Sequence, residues 1–253
     1  MPDKSLGQHW LKDREVLRSI VDLAEIKPTD TVLEIGPGLG TLTSTLLAKA
    51  GSVIAVEFDK HLATKLPDQF PGKNLTVINQ DVLQFDLGSL PPGYIVVANL
   101  PYYITSKIIQ YLSEADNSPV SAVLLVQKEV AERLAAQPGD LSLLAVATQI
   151  YFEVSLGPVV GAELFTPPPK VDSQVVVLLR RQRPLVEQAE RGRLFQLVKA
   201  GFSNRRKKLR SSLAGGLRMP KTEVERLLGD AGIDANLRAQ DLAIDDWLRL
   251  ARL

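Results

Sequence analysis

The residues of this chain that can do chemistry together recur at regular intervals through its N-terminal half. Glu34-Ile-Gly36-Pro-Gly38-Leu-Gly40-Thr-Leu-Thr43 follows an apolar, β-branched run and opens a helical stretch. Glycines at such a junction let the backbone turn sharply and approach a ligand, and the helix start offers free N–H groups. Gly36 and Gly38 are the candidate contacts. Because the third glycine is Gly40, the fit to the G-x-G-x-x-G fingerprint of dinucleotide sites is imperfect, and such a loop alone is a weak signal. Glu57 closes the next apolar run, about twenty residues after Gly36, where a carboxylate can accept hydrogen bonds from both hydroxyls of a ribose. Asp81 closes the run after that, and can accept from an adenine amino group while Val82 offers a backbone N–H to the ring. Taken singly, each acid is an ordinary polar strand end. A Gly-rich loop, a Glu and an Asp at three consecutive strand ends point to one nucleoside ligand in the crevice at the sheet's carboxyl edge.

The fourth strand end reads Asn99-Leu100-Pro101-Tyr102, which resembles the [DNS]-P-P-Y-type motif of amino methyltransferases. An exocyclic adenine nitrogen is a poor nucleophile because its lone pair is delocalised into the ring. The Asn99 side-chain oxygen and the Leu100 carbonyl can accept the two amino protons, letting the nitrogen pyramidalise toward a sulfonium methyl. Pro101 stiffens the turn so that these acceptors are preorganised. Tyr102 offers a face on which an extruded base stacks, worth about 1 to 3 kcal/mol. No strong general base is required, since the amino group becomes acidic only after methylation. The same four residues elsewhere would be a tight turn with a core tyrosine; their place at this strand end separates the two readings.

These side chains need a scaffold, and the hydrophobic pattern supplies one. Thr31–Gly36, Val53–Phe58, Leu75–Asn79, Tyr94–Ala98 and Ala122–Val126 read as buried strands separated mostly by helices, the pattern of a parallel sheet covered on both faces. Asp13 is a plausible N-cap for a helix whose Val16, Leu17, Ile20, Val21 and Leu23 share a face and which ends before Pro28. Gln127 to about Ala136 reads as helix, broken by Pro138-Gly139. Leu141–Thr148, Ile150–Leu156 and Val171–Leu179 complete this part, the last two as an antiparallel edge pair. Thr166-Pro-Pro-Pro169 should be a rigid loop, because proline cannot donate to a ladder. Beyond Arg183-Pro184 short helical pieces joined by glycine or proline breaks indicate a small all-α domain. The expected division is residues 1–183, the ligand-binding and catalytic part, and 184–253, a helical RNA-binding part.

Composition narrows the function further. The chain has no cysteine, which excludes disulfides and thiolate chemistry, and its two histidines, His9 and His61, have no metal-ligand spacing. No protein-bound metal is expected. The N-terminus lacks a signal-peptide layout and no apolar run of about eighteen residues is present, so a soluble cytoplasmic protein without a membrane role is expected. The net charge is only +1, yet between Arg180 and Lys221 thirteen Lys or Arg stand against Glu187 and Glu190. Such asymmetry suits a polyanion-facing surface, although a solvated helix face would look the same from charge alone.

Several blocks occur together in order: Ser5-Leu-Gly-Gln-His9-Trp-Leu11, the glycine loop, Asn99-Leu-Pro-Tyr-Tyr-Ile-Thr105, Val126-Gln-Lys-Glu-Val-Ala-Glu-Arg133, Phe165-Thr-Pro-Pro-Pro-Lys-Val-Asp-Ser173 and Gly201-Phe-Ser-Asn-Arg-Arg-Lys-Lys-Leu-Arg210. Over nearly the whole chain this resembles the small-subunit ribosomal RNA adenine dimethyltransferases, the kasugamycin-sensitivity and Dim1 family. The resemblance implies a Rossmann-like class I methyltransferase sheet with a small C-terminal all-α domain, and S-adenosyl-L-methionine as cofactor. It further implies dimethylation of two adjacent adenines near the 3′ end of small-subunit ribosomal RNA, in a pre-30S-type particle, by a monomer. It places His9, Leu11, Gly36, Gly38, Glu57, Asp81, Val82 and Asn99 at the cofactor. Asn99, Leu100, Pro101 and Tyr102 fall at the reacting base, with Phe165 sandwiching it opposite Tyr102. Arg205, Arg206, Lys207, Lys208 and Arg210 then form a phosphate-binding ridge on a helical turn. Trp10 replaces the family's usual phenylalanine, and Pro138-Gly-Asp-Leu-Ser142 lacks a Ser-Lys-x-Tyr-Gly stretch, so the loop beside the base pocket differs. The competing readings are a large-subunit adenine methyltransferase of macrolide-resistance type, and a non-catalytic RNA-binding, assembly or transcription factor on the same fold.

Overall fold

The computed structural model of the chain describes residues 9–253; the part of the N-terminal motif from Ser5 to Gln8 lies outside them. Its strands are β1 (Trp10–Leu11), β2 (Thr31–Ile35), β3 (Ser52–Glu57), β4 (Leu75–Asn79), β5 (Ile95–Asn99), β6 (Ser121–Gln127), β7 (Phe152–Val160), β8 (Phe165–Thr166) and β9 (Ser173–Arg180). Its α-helices are α1 (Arg14–Leu23), α2 (Thr41–Leu46), α3 (Lys60–Lys65), α4 (Thr105–Glu114), α5 (Lys128–Leu134), α6 (Leu143–Gln149), α7 (Arg191–Phe202), α8 (Leu209–Leu217), α9 (Lys221–Asp230) and α10 (Ile244–Ala251). None of the described helices is long and apolar enough to cross a membrane.

Seven strands form one sheet in the order β4-β3-β2-β5-β6-β9-β7. The first five are parallel, with Val32 opposite both Val53 and Ile95, while β9 runs antiparallel to β6. The central strands are apolar on both sides because both faces are covered. Ile95, Val97, Val123 and Leu125 join Leu17, Ile20 and Val21 of α1 and Leu42 and Leu46 of α2 in one buried cluster. The alternate residues Val96, Ala98, Ala122 and Leu124 are buried on the opposite face. The edge neighbours β9 and β7 are those expected, and Pro158 sits in the outermost strand, where a missing donor is tolerated.

Local signals explain most element ends. Asp13 caps α1 by accepting from the N–H groups of Glu15 and Val16. Leu23, expected on the buried face of α1, is exposed, since the face the helix buries runs through Leu17, Ile20, Val21 and Ala24 and Leu23 lies beside it. The strand expected at Tyr94–Ala98 runs one residue later, so that Asn99 is its last laddered residue, opposite Leu125. Part of the expected proline loop is strand: Thr166 pairs with Trp10 and Phe165 with Leu11, and the Thr166–Pro167 peptide bond is cis.

The chain forms two compact units. One joins the described residues up to Ala131 with Glu153–Arg180 and holds the sheet; the other joins Glu132–Phe152 with Arg181–Leu253. Residues 132–152, grouped by sequence with the catalytic part, therefore pack with the helical one. There α6 lies against α7, and Gln149 donates to the carbonyls of Leu134 and Ala136. Gly139 and Gln240 bond reciprocally, N–H to carbonyl at 2.9 Å and amide to carbonyl at 2.7 Å, so the 138–142 loop is tied into this unit. Its core is centred on Trp247, buried against Gly201, where an added Cβ would come within 2.4 Å of the indole.

Candidate active site

A single cleft in the sheet-bearing unit opens at the carboxyl ends of β2, β3 and β5 and the turn after β4. It is lined by His9, Trp10, Leu11, the glycine loop, Glu57, Phe58, Asp81, Val82 and residues 99–104. Strand order reverses here, from β2 to β3 on one side and from β2 to β5 on the other. Such reversals leave a crevice between diverging loops, the usual ligand site of a parallel sheet.

The loop after β2 can approach a ligand because Gly36, Gly38 and Gly40 all take positive φ, at 68°, 56° and 79°. At Gly40 a side chain is also excluded by crowding: an added Cβ would lie 2.7 Å from Leu66 and 3.0 Å from Phe70. Glu57 holds this loop from the next strand, accepting from Gly38 N–H at 3.0 Å through Oε2 and from Asp59 N–H at 2.8 Å through Oε1. Burial raises its pKa, the Asp59 and Gly38 amides oppose the rise, and the Asp59 charge adds to it. Asp81 caps the turn after β4 by accepting from Leu83 N–H at 3.0 Å, which fixes its carboxylate beside Val82.

Asn99 and Tyr102 meet the glycine loop, Glu57 and Asp81 in this cleft. The Asn99 Nδ2 donates to the His9 carbonyl at 3.1 Å, which leaves Oδ1 as the amide atom able to accept from a ligand. The Pro101 carbonyl takes the Thr105 hydroxyl at 3.1 Å and the Ile104 N–H at 3.3 Å, so the turn leads directly into α4. Tyr102 is clamped by a 2.7 Å hydrogen bond between its hydroxyl and that of buried Ser173. Burial raises the Tyr102 pKa; the Ser173 bond opposes this and the Asp172 charge adds to it.

The N-terminal strap crosses the same cleft. Trp10 lies over the glycine loop, its indole 3.3 Å from where a Gly38 Cβ would stand. Leu11 is held by β8 and by the Thr41 hydroxyl, which donates to its carbonyl at 2.9 Å. His9 sits at the Asn99 and Tyr102 end, so among the strap residues it is Trp10 that covers the glycine loop.

Phe165 is not where the sequence reading puts it. It is 3% exposed, packs in the core with Leu11 and Val160, and is absent from the cleft wall. Its pairing with Leu11 turns the ring inward, a tertiary constraint with no counterpart in the motif. The basic residues also need correction, because Arg205, Arg206 and Lys207 lie in the turn between α7 and α8, not on a helix. All three are exposed. Lys208 donates to the Asn236 side chain at 2.9 Å and Arg210 pairs with Glu225 at 3.0 Å.

Four further groups belong to the site. Glu34 lines the cleft while being 1% exposed, and its carboxyl makes no well-formed hydrogen bond, its nearest donors being the hydroxyl and amide of Thr43. Burial pushes its pKa to about 8; the Thr43 hydroxyl and amide oppose the rise and the Glu57 charge adds to it. A charged residue inside an otherwise apolar strand was its available signal. Phe58 and Tyr103, 62% and 61% exposed, are large rings on the cleft wall; Tyr103 is marked only by lying in the Asn99–Thr105 block, and Phe58 only by ending an apolar run. Ser173 is marked only as the end of a motif.

The model of the ribosomal RNA adenine dimethylase family matches residues 2–253. A ribosomal RNA small subunit methyltransferase A from Dehalococcoides mccartyi is 44% identical over 252 residues, covering 98% of this chain and 86% of that protein. One of the same name from Moorella thermoacetica is 39% identical over 266 residues, covering 100% and 92%. Among solved structures, a dimethyladenosine transferase from Plasmodium falciparum superposes with a TM-score of 0.81 at 28% identity, covering 96% of each chain. The 23S rRNA methyltransferase ErmE superposes with a TM-score of 0.76 at 34% identity, covering 96% of this chain and 98% of its own.

Proposed function

This chain belongs to the ribosomal RNA adenine dimethylase family, and from that premise we propose that its cleft methylates the N6 amino groups of adenines in small-subunit ribosomal RNA. It is an S-adenosylmethionine-dependent rRNA adenine dimethyltransferase. The finer reading is that two adjacent adenines near the 3′ end are its targets and that it acts as a cytoplasmic monomer during late subunit assembly, as the resemblance in its sequence implies. The observation that carries the reading is the convergence of Asn99 and Tyr102 with Gly36, Glu57 and Asp81 on one cleft.

The cleft fits the cofactor. Its wall offers a buried carboxyl at Glu34 without a well-formed hydrogen bond, a backbone loop open to close approach, and two acids at neighbouring strand tips. Gly36, Gly38, Glu57, Asp81 and Val82 would hold it, with the strap residues Trp10 and Leu11 over it. When bound it supplies an electrophilic methyl group on a sulfonium. The protein's part is then positioning and water exclusion. Asn99 Oδ1, fixed by the bond from Nδ2 to the His9 carbonyl, and the Leu100 carbonyl accept hydrogen bonds from the two N–H groups of the target amine and free its lone pair. Tyr102, neutral and clamped by Ser173, gives the flipped base a rigid surface. In the helical unit, Arg205, Arg206 and Lys207 offer charge for phosphates.

Asn99→Ala should abolish methyl transfer while leaving RNA binding intact; undiminished turnover would remove Asn99 from the chemistry. A large-subunit target is the competing reading; ErmE shares the fold, but the more similar relatives carry the small-subunit name. Transfer of labelled methyl to purified small and large particles, followed by mass spectrometry of the RNA, separates the two and reports base, position and methyl count.

A further inference from the structure

Tyr102 does not present a bare face to the cleft. The imidazole of His9 is offset-stacked against one part of it, with ring centroids 5.7 Å apart and planes inclined by 22°. His9 Nδ1 stands 2.7 Å from the Pro167 carbonyl oxygen. A carbonyl can only accept, so Nδ1 carries a proton and the ring is held in one orientation. The ring is thus a planar heteroaromatic, stacked on the tyrosine and hydrogen-bonded at its edge, much as a bound base would be. A base slid between the two rings would need two contacts of about 3.5 Å each, and the observed separation does not admit it.

We propose that His9 is a place-holder for the target base. Its ring overlaps part of the stacking face of Tyr102 and swings out when the adenine arrives, while its backbone carbonyl remains on Asn99. This rests on the adenine-transfer reading given above. The two functions of the residue are separable because rotation about the side-chain bonds moves the ring without moving the carbonyl. Displacing the ring gives up one stack and one hydrogen bond, and no core packing, since the ring is only half buried. The neighbouring strap stays anchored through Leu11, which is held by Phe165 and Thr41. Phe165 cannot serve as the alternative cover, because it is buried in the core. A base gains the seat only if its stacking, together with the bonds its amine makes to Asn99 and Leu100, exceeds what His9 gives up. The displacement therefore adds discrimination against bases without a suitably placed amine.

The test compares wild type, His9→Ala and His9→Trp in methyl transfer to under-methylated small-subunit particles, with the cofactor Kd measured in parallel. His9→Ala is expected to raise kcat/KM for RNA about three- to thirtyfold through a lower KM, with no matching change in the cofactor Kd. His9→Trp, which stacks more strongly, is expected to lower it by a similar factor. If His9→Ala loses its fold or its cofactor binding, His9→Asn, which retains a donor for Pro167 but cannot stack, carries the same expected rise. A kcat/KM for RNA that falls or stays unchanged in a folded, cofactor-binding His9→Ala or His9→Asn overturns the place-holder, making the imidazole a wall of the base pocket. If wild type itself methylates no adenine, the reaction reading fails and the place-holder with it; if wild type is active and the variants order the other way, only the place-holder fails.

Discussion

Glu34 gives the sharpest test of how this cleft is built. Its carboxyl is buried in the wall with no well-formed hydrogen bond, and its pKa is pushed from 4.5 to about 8, chiefly by burial, against the opposition of the Thr43 hydroxyl and amide. In the unfolded chain it ionises at its ordinary value. Below that value both states are protonated and folding is not penalised; as pH rises, the unfolded state loses its proton first and gains on the folded one. The stability contributed by the neutral folded carboxyl is therefore lost progressively from about pH 4.5 to about pH 8, and levels off above it. Each pH unit inside that window costs at most about 1.4 kcal/mol, so wild type should lose up to about 4 kcal/mol relative to Glu34→Gln between pH 5 and pH 8. Glutamine has the same shape and does not titrate. The assay is urea unfolding of the ligand-free protein at several pH values, with the difference in midpoint between wild type and variant read at constant slope, so that every other titrating group cancels. Parallel pH profiles for the two proteins would show that Glu34 is solvated or paired in solution, and would remove the buried acid as an argument for a ligand in the cleft.

Two further outcomes follow from the geometry. Ser173→Ala leaves the half-buried Tyr102 hydroxyl without its partner, and kcat/KM for RNA should fall about tenfold while Ser173→Thr recovers most of it; an equal loss of cofactor affinity would make Ser173 structural. Neutralising Arg205, Arg206 and Lys207 together should weaken RNA binding and lower the slope of log K against log salt by about 2 to 3, with cofactor affinity spared; loss of cofactor binding would mean that the turn supports the fold.

The reaction class was open to inference from sequence because its determinants are local. Glycines at a strand-to-helix junction, acids at successive strand tips and an Asn-Leu-Pro-Tyr turn each carry their chemistry in residue type and spacing, and the period of the apolar runs places them at one edge of a parallel sheet. Asp13 as a cap and the apolar strands behave the same way, being decided by neighbours a few positions apart. What the sequence could not decide are contacts between residues far apart in the chain. Phe165 has the chemistry of a base-stacking residue, but its pairing with Leu11 turns it into the core. Residues 132–152 read as a continuation of the catalytic part, yet the apolar side of α6 finds its cover on α7. Glu34 was visible as a misplaced charge, but only the closed strand packing around it makes it a buried acid without a well-formed hydrogen bond. His9 was legible as part of a motif; that its ring lies on Tyr102 and its carbonyl on Asn99 depends on where a strap crosses a cleft some ninety residues away in the chain. Local pattern fixes which groups are available, because propensity and spacing act over a few residues. Burial and partner choice depend on which surfaces meet, and only the folded chain determines that.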